Sequence, residues 1–126
     1  MKKVILDTNF LVSILQLKID ILEGIFDCLM ENVEYYIIDK TKNELEKLIK
    51  TSKLSDSQAA KFALKVLEKK PIKIIKTAEN TYVDDLILEQ KGYIVATVDK
   101  ELKQKLKKEK IQILTMGLSI SNQLKL

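Results

Sequence analysis

KKVILDTNF, residues 2–10, decides how the chain is read. Two lysines lead into Val4, Ile5 and Leu6, a short apolar run, β-branched at its start, that suits a strand buried on both faces. The run stops at Asp7, and Thr8 and Asn9 follow. A carboxylate directly after a core strand is either a turn residue or part of a site.

The same grammar recurs downstream. EYYIIDK (34–40), PIKIIK (71–76), YIVATVD (93–99) and IQILTM (111–116) read as strands, and the first and third end in Asp39 and Asp99. Helical patterns separate them. One runs from Phe10 to Met30 with a break near Lys18. A second is KTKNELEKLIK (40–50), for which Asp39 is the expected N-cap. A third is LSDSQAAKFALKVLEKK (54–70), capped by Ser55 or Asp56 and stopped by Pro71, with Ala59, Ala60, Ala63, Leu64 and Leu67 on its apolar side. AENTYVDDLILEQKG (78–92) starts near Asn80 or Thr81 and has Gly92 at its expected C′ position. KELKQKLKKEK (100–110) is the last, and residues 117–126 carry no firm pattern.

Strands alternating with helices over short connections predict a three-layer α/β/α sandwich with a mainly parallel sheet, one domain over residues 1–126. Such sheets place ligands beyond the carboxyl ends of their strands. Asp7 and Asp99 stand at that end.

The totals narrow the chemistry. At 126 residues and 46% hydrophobic content the chain can bury a real core. It has no histidine, which removes serine and cysteine triads, histidine–zinc hydrolases and histidine phosphotransfer. The single cysteine, Cys28, excludes an internal disulfide and a cysteine-rich zinc site. No apolar run approaches the about 18 residues a membrane span needs, and a strand-like start replaces a signal peptide. A soluble cytoplasmic protein without a membrane partner is expected. All 22 basic residues are lysines, the net charge is +4 and the pI is near 9.0, a mild pointer to a polyanion.

Four acids share the strand-end geometry: Asp7, Asp99, Glu44 in the first turn after strand two, and Asp84 or Asp85 in the first turn after strand three. Taken singly, each is also explained by capping and by the helix dipole. Taken together, they repel unless a cation neutralises them. An all-oxygen set suits Mg²⁺ or Mn²⁺, ions that act on phosphate substrates. Next to Asp99, six lysines crowd residues 100–110, and Lys100, Lys103, Lys107 and Lys110 fall on one helical side. That row is either a solvated face or a track for a nucleic-acid backbone. Without arginine, no bidentate guanidinium grip on guanine is available, so weak sequence readout is expected.

VILDTNF, KNELEKL, TYVDDLILE and YIVATVDKELKQKLKK, in that order, resemble the PIN-domain nucleases. The wording is most similar to the archaeal and eukaryotic small-subunit rRNA-processing branch, with VapC-type toxins as relatives. The eukaryotic members carry a long basic N-terminal extension, whereas this chain starts two residues before its first strand. The resemblance implies a Mg²⁺- or Mn²⁺-dependent endoribonuclease acting on single-stranded RNA or rRNA. Asp7, Glu44, Asp84 and Asp99 would hold the metal. Thr8, Asn9 and Thr97 would position the carboxylates, and Asp85 would lie beside them or in solvent. It further implies pairing as a homodimer and an antitoxin or ribosome-assembly partner. A VapC-type toxin and a non-catalytic RNA-binding scaffold are the alternatives. A haloacid-dehalogenase-like phosphatase is disfavoured because Asn9 stands where its second aspartate belongs, and a response-regulator receiver domain because the early acidic pair is absent.

Overall fold

The computed structural model describes residues 2–16, 32–77 and 82–115. In chain order these form β1 (Lys2–Leu6), α1 (Thr8–Gln16), β2 (Val33–Ile38), α2 (Lys40–Thr51) and α3 (Leu54–Lys69). β3 (Ile72–Ile75), α4 (Val83–Leu88), β4 (Ile94–Ala96), α5 (Lys100–Lys108) and β5 (Ile113–Leu114) follow. The five strands make one sheet in the order β3-β2-β1-β4-β5, and every pairing is parallel.

Alternation along each strand feeds two cores. Val4 and Leu6 of β1, with Tyr35 and Ile37 of β2, face α1, α2 and α3, where Phe10, Leu11, Leu45, Ala60 and Ala63 are fully covered. Ile5 and Ile38 point the other way, onto Val83, Leu86 and Ile87 of α4 and Leu102 and Leu106 of α5. This is the predicted three-layer sandwich, and burial on both faces explains why the strands read as continuous apolar runs.

The strand order has a consequence for function. From β1 the chain steps outward to β2 and β3, then returns across the sheet to place β4 on the other side of β1. With right-handed crossovers, the first half lays its helices on one face and the second half on the other. The switch point falls between β1 and β4, where a crevice opens beyond the strand ends.

Several local expectations are corrected. Asp39 precedes α2 but makes no capping bond from its side chain. Its carboxylate instead accepts the Thr77 N–H (2.9 Å) and hydroxyl (2.7 Å), tying the end of β2 to the segment after β3. α3 begins at Leu54 with Lys53 as N-cap, so Ser55 and Asp56 lie inside its first turn. There Asp56 gains from the helix dipole without capping. α1 starts at Thr8, two residues earlier than read, because the Asp7 carbonyl already accepts the Leu11 N–H. α4 ends at Leu88, so Gly92 is not its C′ residue; its φ of +82° serves the turn into β4. The last strand is shorter than read, Ile113–Leu114. The extension of the first helix towards Met30 with Cys28, the helix-start residues Asn80 and Thr81, and the tail from 117 lie outside the described residues. No described helix is long and apolar enough to cross a membrane.

Candidate active site

Asp7 sits at the switch point. Its N–H donates to the Ala96 carbonyl (2.9 Å), extending the β1–β4 pairing by one residue. Its side chain is held from both sides: Oδ1 accepts the Thr8 N–H (2.9 Å), and Oδ2 accepts the Thr97 hydroxyl (2.8 Å). The Thr97 oxygen in turn accepts the Asp99 N–H (3.1 Å). One threonine therefore couples the ends of β1 and β4.

Glu44 is reached from the other direction. The Thr8 hydroxyl donates to Glu44 Oε1, with the fully buried Thr41 hydroxyl 3.5 Å away. Glu44 is the fifth residue of α2, one turn deeper than the sequence suggested. Glu44 and Glu46 are both exposed, and the Thr8 hydroxyl bonds Glu44. Asp99 caps α5, and its Oδ1 accepts the Glu101 (2.9 Å) and Leu102 (3.2 Å) N–H groups. The capping explanation is thus correct for Asp99, and the cap also fixes its carboxylate at the crevice.

Electrostatics shows which acids face one another. The Asp7 carboxyl is raised from its ordinary 3.8 to about 7, chiefly by burial and then by Asp84 and Glu44, against the hydrogen bonds from Thr97 and Thr8. The Asp84 carboxyl is also raised, first by burial and then by Asp99 and Glu44, with Lys105 opposing. Asp7 therefore lies within electrostatic reach of Asp84 and Glu44, and Asp84 within reach of Asp99 and Glu44. Asp85 is exposed and comes last among the charges acting on Asp84.

The other expected residues divide. Thr8 and Thr97 contact carboxylates directly. Asn9 does not: it is exposed and makes no hydrogen bond to the four acids among the described residues. Lys100, Lys103 and Lys107 do cluster. Partial burial, then Lys107 and Lys100, hold the Lys103 ammonium below its ordinary value. Lys110 lies past the end of α5, with φ +58°, yet shares a hollow of about 330 Å³ with Lys103, Lys107 and Thr115. Three residues were not foreseen. Thr41 backs Thr8, Lys105 is the lysine that senses Asp84, and Tyr82, 81% exposed, is the N-cap position of α4 two residues before Asp84. An aromatic residue two positions ahead of an acidic pair was a readable signal for Tyr82; Thr41 and Lys105 depend on contacts between elements.

A family model described as a PIN like domain matches residues 4–117. This chain belongs to the PIN-like family. Its domain is 37% identical to the rRNA-processing protein FCF1 of Saccharomyces cerevisiae over 111 residues, 84% of this chain and 54% of that one. It is 34% identical to ribonuclease VapC4 of Methanocaldococcus jannaschii over 120 residues, 92% of this chain and 91% of the relative. The solved PIN domain endonuclease Utp24 is similar at 36% identity and a TM-score of 0.78, covering 91% of this chain and 85% of that structure. The PIN-like chain spans about half the length of the rRNA-processing relatives it matches.

Proposed function

We propose that this PIN-like domain is a Mg²⁺- or Mn²⁺-dependent endoribonuclease that hydrolyses RNA phosphodiester bonds, with rRNA processing as its setting. What supports this reading is the buried Asp7 at the switch point of a parallel sheet, with Asp84 and Glu44 acting on its carboxyl and Asp99 and Glu44 acting on that of Asp84. The rRNA setting rests on likeness to rRNA-processing proteins at 37% identity.

The residues fit a hard dication. The donors are carboxylates and hydroxyls, and both anions are destabilised by burial and by other acids: Asp7 by Asp84 and Glu44, Asp84 by Asp99 and Glu44. A cation in the crevice relieves that repulsion. Among the described residues no three carboxylates converge tightly enough to cage an ion unaided. Mg²⁺ commonly uses one or two carboxylates, with water and substrate phosphate in its other positions. Asp7, Glu44, Asp84 and Asp99 would hold it. When bound, the ion supplies Lewis acidity and charge neutralisation at the phosphodiester. The protein's own work is positioning: Thr8 and Thr97 fix Asp7, Thr8 brings Glu44 to it, and the α5 cap fixes Asp99.

Lys100, Lys103 and Lys107 lead away from Asp99 and would follow the RNA backbone, with Lys110 beyond the helix end. Changing Lys103 and Lys107 together to Gln is expected to weaken RNA binding and lower the slope of log K against log salt by about 1–2. Filter binding at several salt concentrations measures this. An unchanged slope returns α5 to a solvated face.

The direct test is incubation of the protein with labelled single-stranded RNA in Mn²⁺, Mg²⁺ or EDTA. Internal cleavage that requires the metal is expected. RNA bound but never cut would point to a scaffold. A second reading, a ribonuclease of the VapC type, rests on 34% identity across nine-tenths of both chains. Growth arrest on expression, relieved by Asp7→Asn, would favour it.

A further inference from the structure

Beside the carboxylate crevice lies a second hollow, of about 310 Å³. Asn9, Ser13 and Gln16 reach it from α1, Asp56 from α3, and Asp99 closes the end towards the acids. Spacings of four and three residues put the α1 side chains on a single stripe. Val12, Leu48 and Val98 supply its apolar lining. Polar groups predominate, and the three apolar side chains give a ligand's flat face something to pack on.

The polar groups are specific in kind. The Gln16 Nε2 amide donates to Asp56 Oδ1 and lies 3.4 Å from Ser55 Oγ. Its donor end is therefore committed, which leaves Oε1 as an acceptor. Asp56 and Asp99 add carboxylate acceptors, and among the described residues no lysine lines the hollow. Of those residues, Asn9 and Ser13 can still donate. Such a wall repels phosphate and favours a neutral, planar, donor-bearing group. Asp accepts from the cytosine N4 amine, and Asn, a role open to Asn9, pairs with adenine by accepting from N6 and donating to N7. Uracil and guanine present a carbonyl oxygen at the amine's position, which would face other acceptors.

We propose that this hollow is a nucleobase subsite for adenine or cytosine, seating a base splayed from the RNA strand next to the phosphate in the crevice. The proposal rests on the nuclease reading and gives it a specificity. Single-stranded RNA is commonly read in this way, by bases unstacked from the strand and hydrogen-bonded on their pairing edges.

Two measurements test it. The first titrates ion-free protein with AMP, CMP or UMP and follows backbone amides by NMR. AMP and CMP are expected to shift α1 and the Val98–Asp99 segment and to bind roughly tenfold tighter than UMP, the discrimination of one good base-edge pair. In Gln16→Leu and Asp56→Asn proteins that melt like the parent, the ratio is expected to collapse to about twofold or less. Equal binding of all three nucleotides, or shifts confined to the lysines of α5, overturns the subsite. The second maps cut sites on a mixed-sequence RNA. Cuts beside A or C are expected, and cuts without base preference overturn the subsite while leaving the nuclease intact. Failure to cut any RNA overturns the nuclease reading, and the nucleotide titration still decides the subsite.

Discussion

Asp7→Asn is expected to lower cleavage by roughly a thousandfold, about 4 kcal/mol of barrier, and at the same time to stabilise the ion-free protein at pH 8. Both effects come from one charge. Asp7 is only 3% exposed, and its carboxyl titrates near 7 in place of 3.8. The folded protein therefore holds a proton there that the unfolded chain has released. The sign follows from proton linkage: because the folded state binds more protons, stability falls as pH rises from about 4 to about 7 and is flat above that. The full distance is worth about 4 kcal/mol as a ceiling, at 1.36 kcal/mol per pH unit. Relaxation around the carboxylate reduces this, so about 2–4 kcal/mol is expected.

Asparagine keeps the shape and loses the charge. Its Oδ1 still accepts the Thr8 N–H, and its Nδ2 can donate to the Thr97 oxygen once that hydroxyl turns. In EDTA at pH 8 the variant should melt at least about 6 °C above the parent, and at pH 4 the two should nearly coincide. Adding Mn²⁺ should raise the parent's melting point and leave the variant's almost unmoved. A variant that melts at the parent's temperature at pH 8 would show that Asp7 carries no electrostatic cost. One that still cuts RNA would remove Asp7 from the chemistry. Stability given up at a functional site in this way is a common trade.

Much of this was legible in the sequence, and the reason is local. Asp7 and Asp99 each end an apolar run, and a parallel α/β sheet forces such residues to one end. What was not legible depends on contacts between distant segments. Asp39 ends a strand just as Asp7 does, yet it is consumed by Thr77, 38 residues later. Glu44 and Glu46 look alike on a Lys/Glu-rich helix, and only the Thr8 hydroxyl separates them. Asn9 travels with Asp7 and Thr8 in sequence, but the first turn of α1 rotates it out of the acid cluster towards the neighbouring hollow. Lys105 was passed over because the lysine row was drawn along one helical side, and the flank facing Asp84 depends on how α5 packs beside α4.

The adjacent acids Asp84 and Asp85 give the other large expected effect, because geometry separates them completely. Neighbouring residues on a helix point about 100° apart. α4 is anchored by Val83, Leu86 and Ile87 on the sheet, which leaves Asp84 half-buried towards the crevice and Asp85 in solvent. Asp84 feels both Asp99 and Glu44, and it is the first acid to act on Asp7. Asp84→Asn should therefore cost cleavage at least about a hundredfold, some 2.7 kcal/mol of barrier, and Asp85→Asn less than about threefold. The two variants should also differ in a readout that needs no catalysis. Removing the Asp84 charge favours the ionised form of Asp7, so the Asp7 carboxyl carbon, followed by NMR in ion-free protein, should titrate below the parent's value of about 7. In Asp85→Asn it should stay in place. If Asp85→Asn proved the damaging change and shifted Asp7 while Asp84→Asn did neither, the assignment would pass to Asp85, and α4 would have to sit about a quarter-turn from the orientation described.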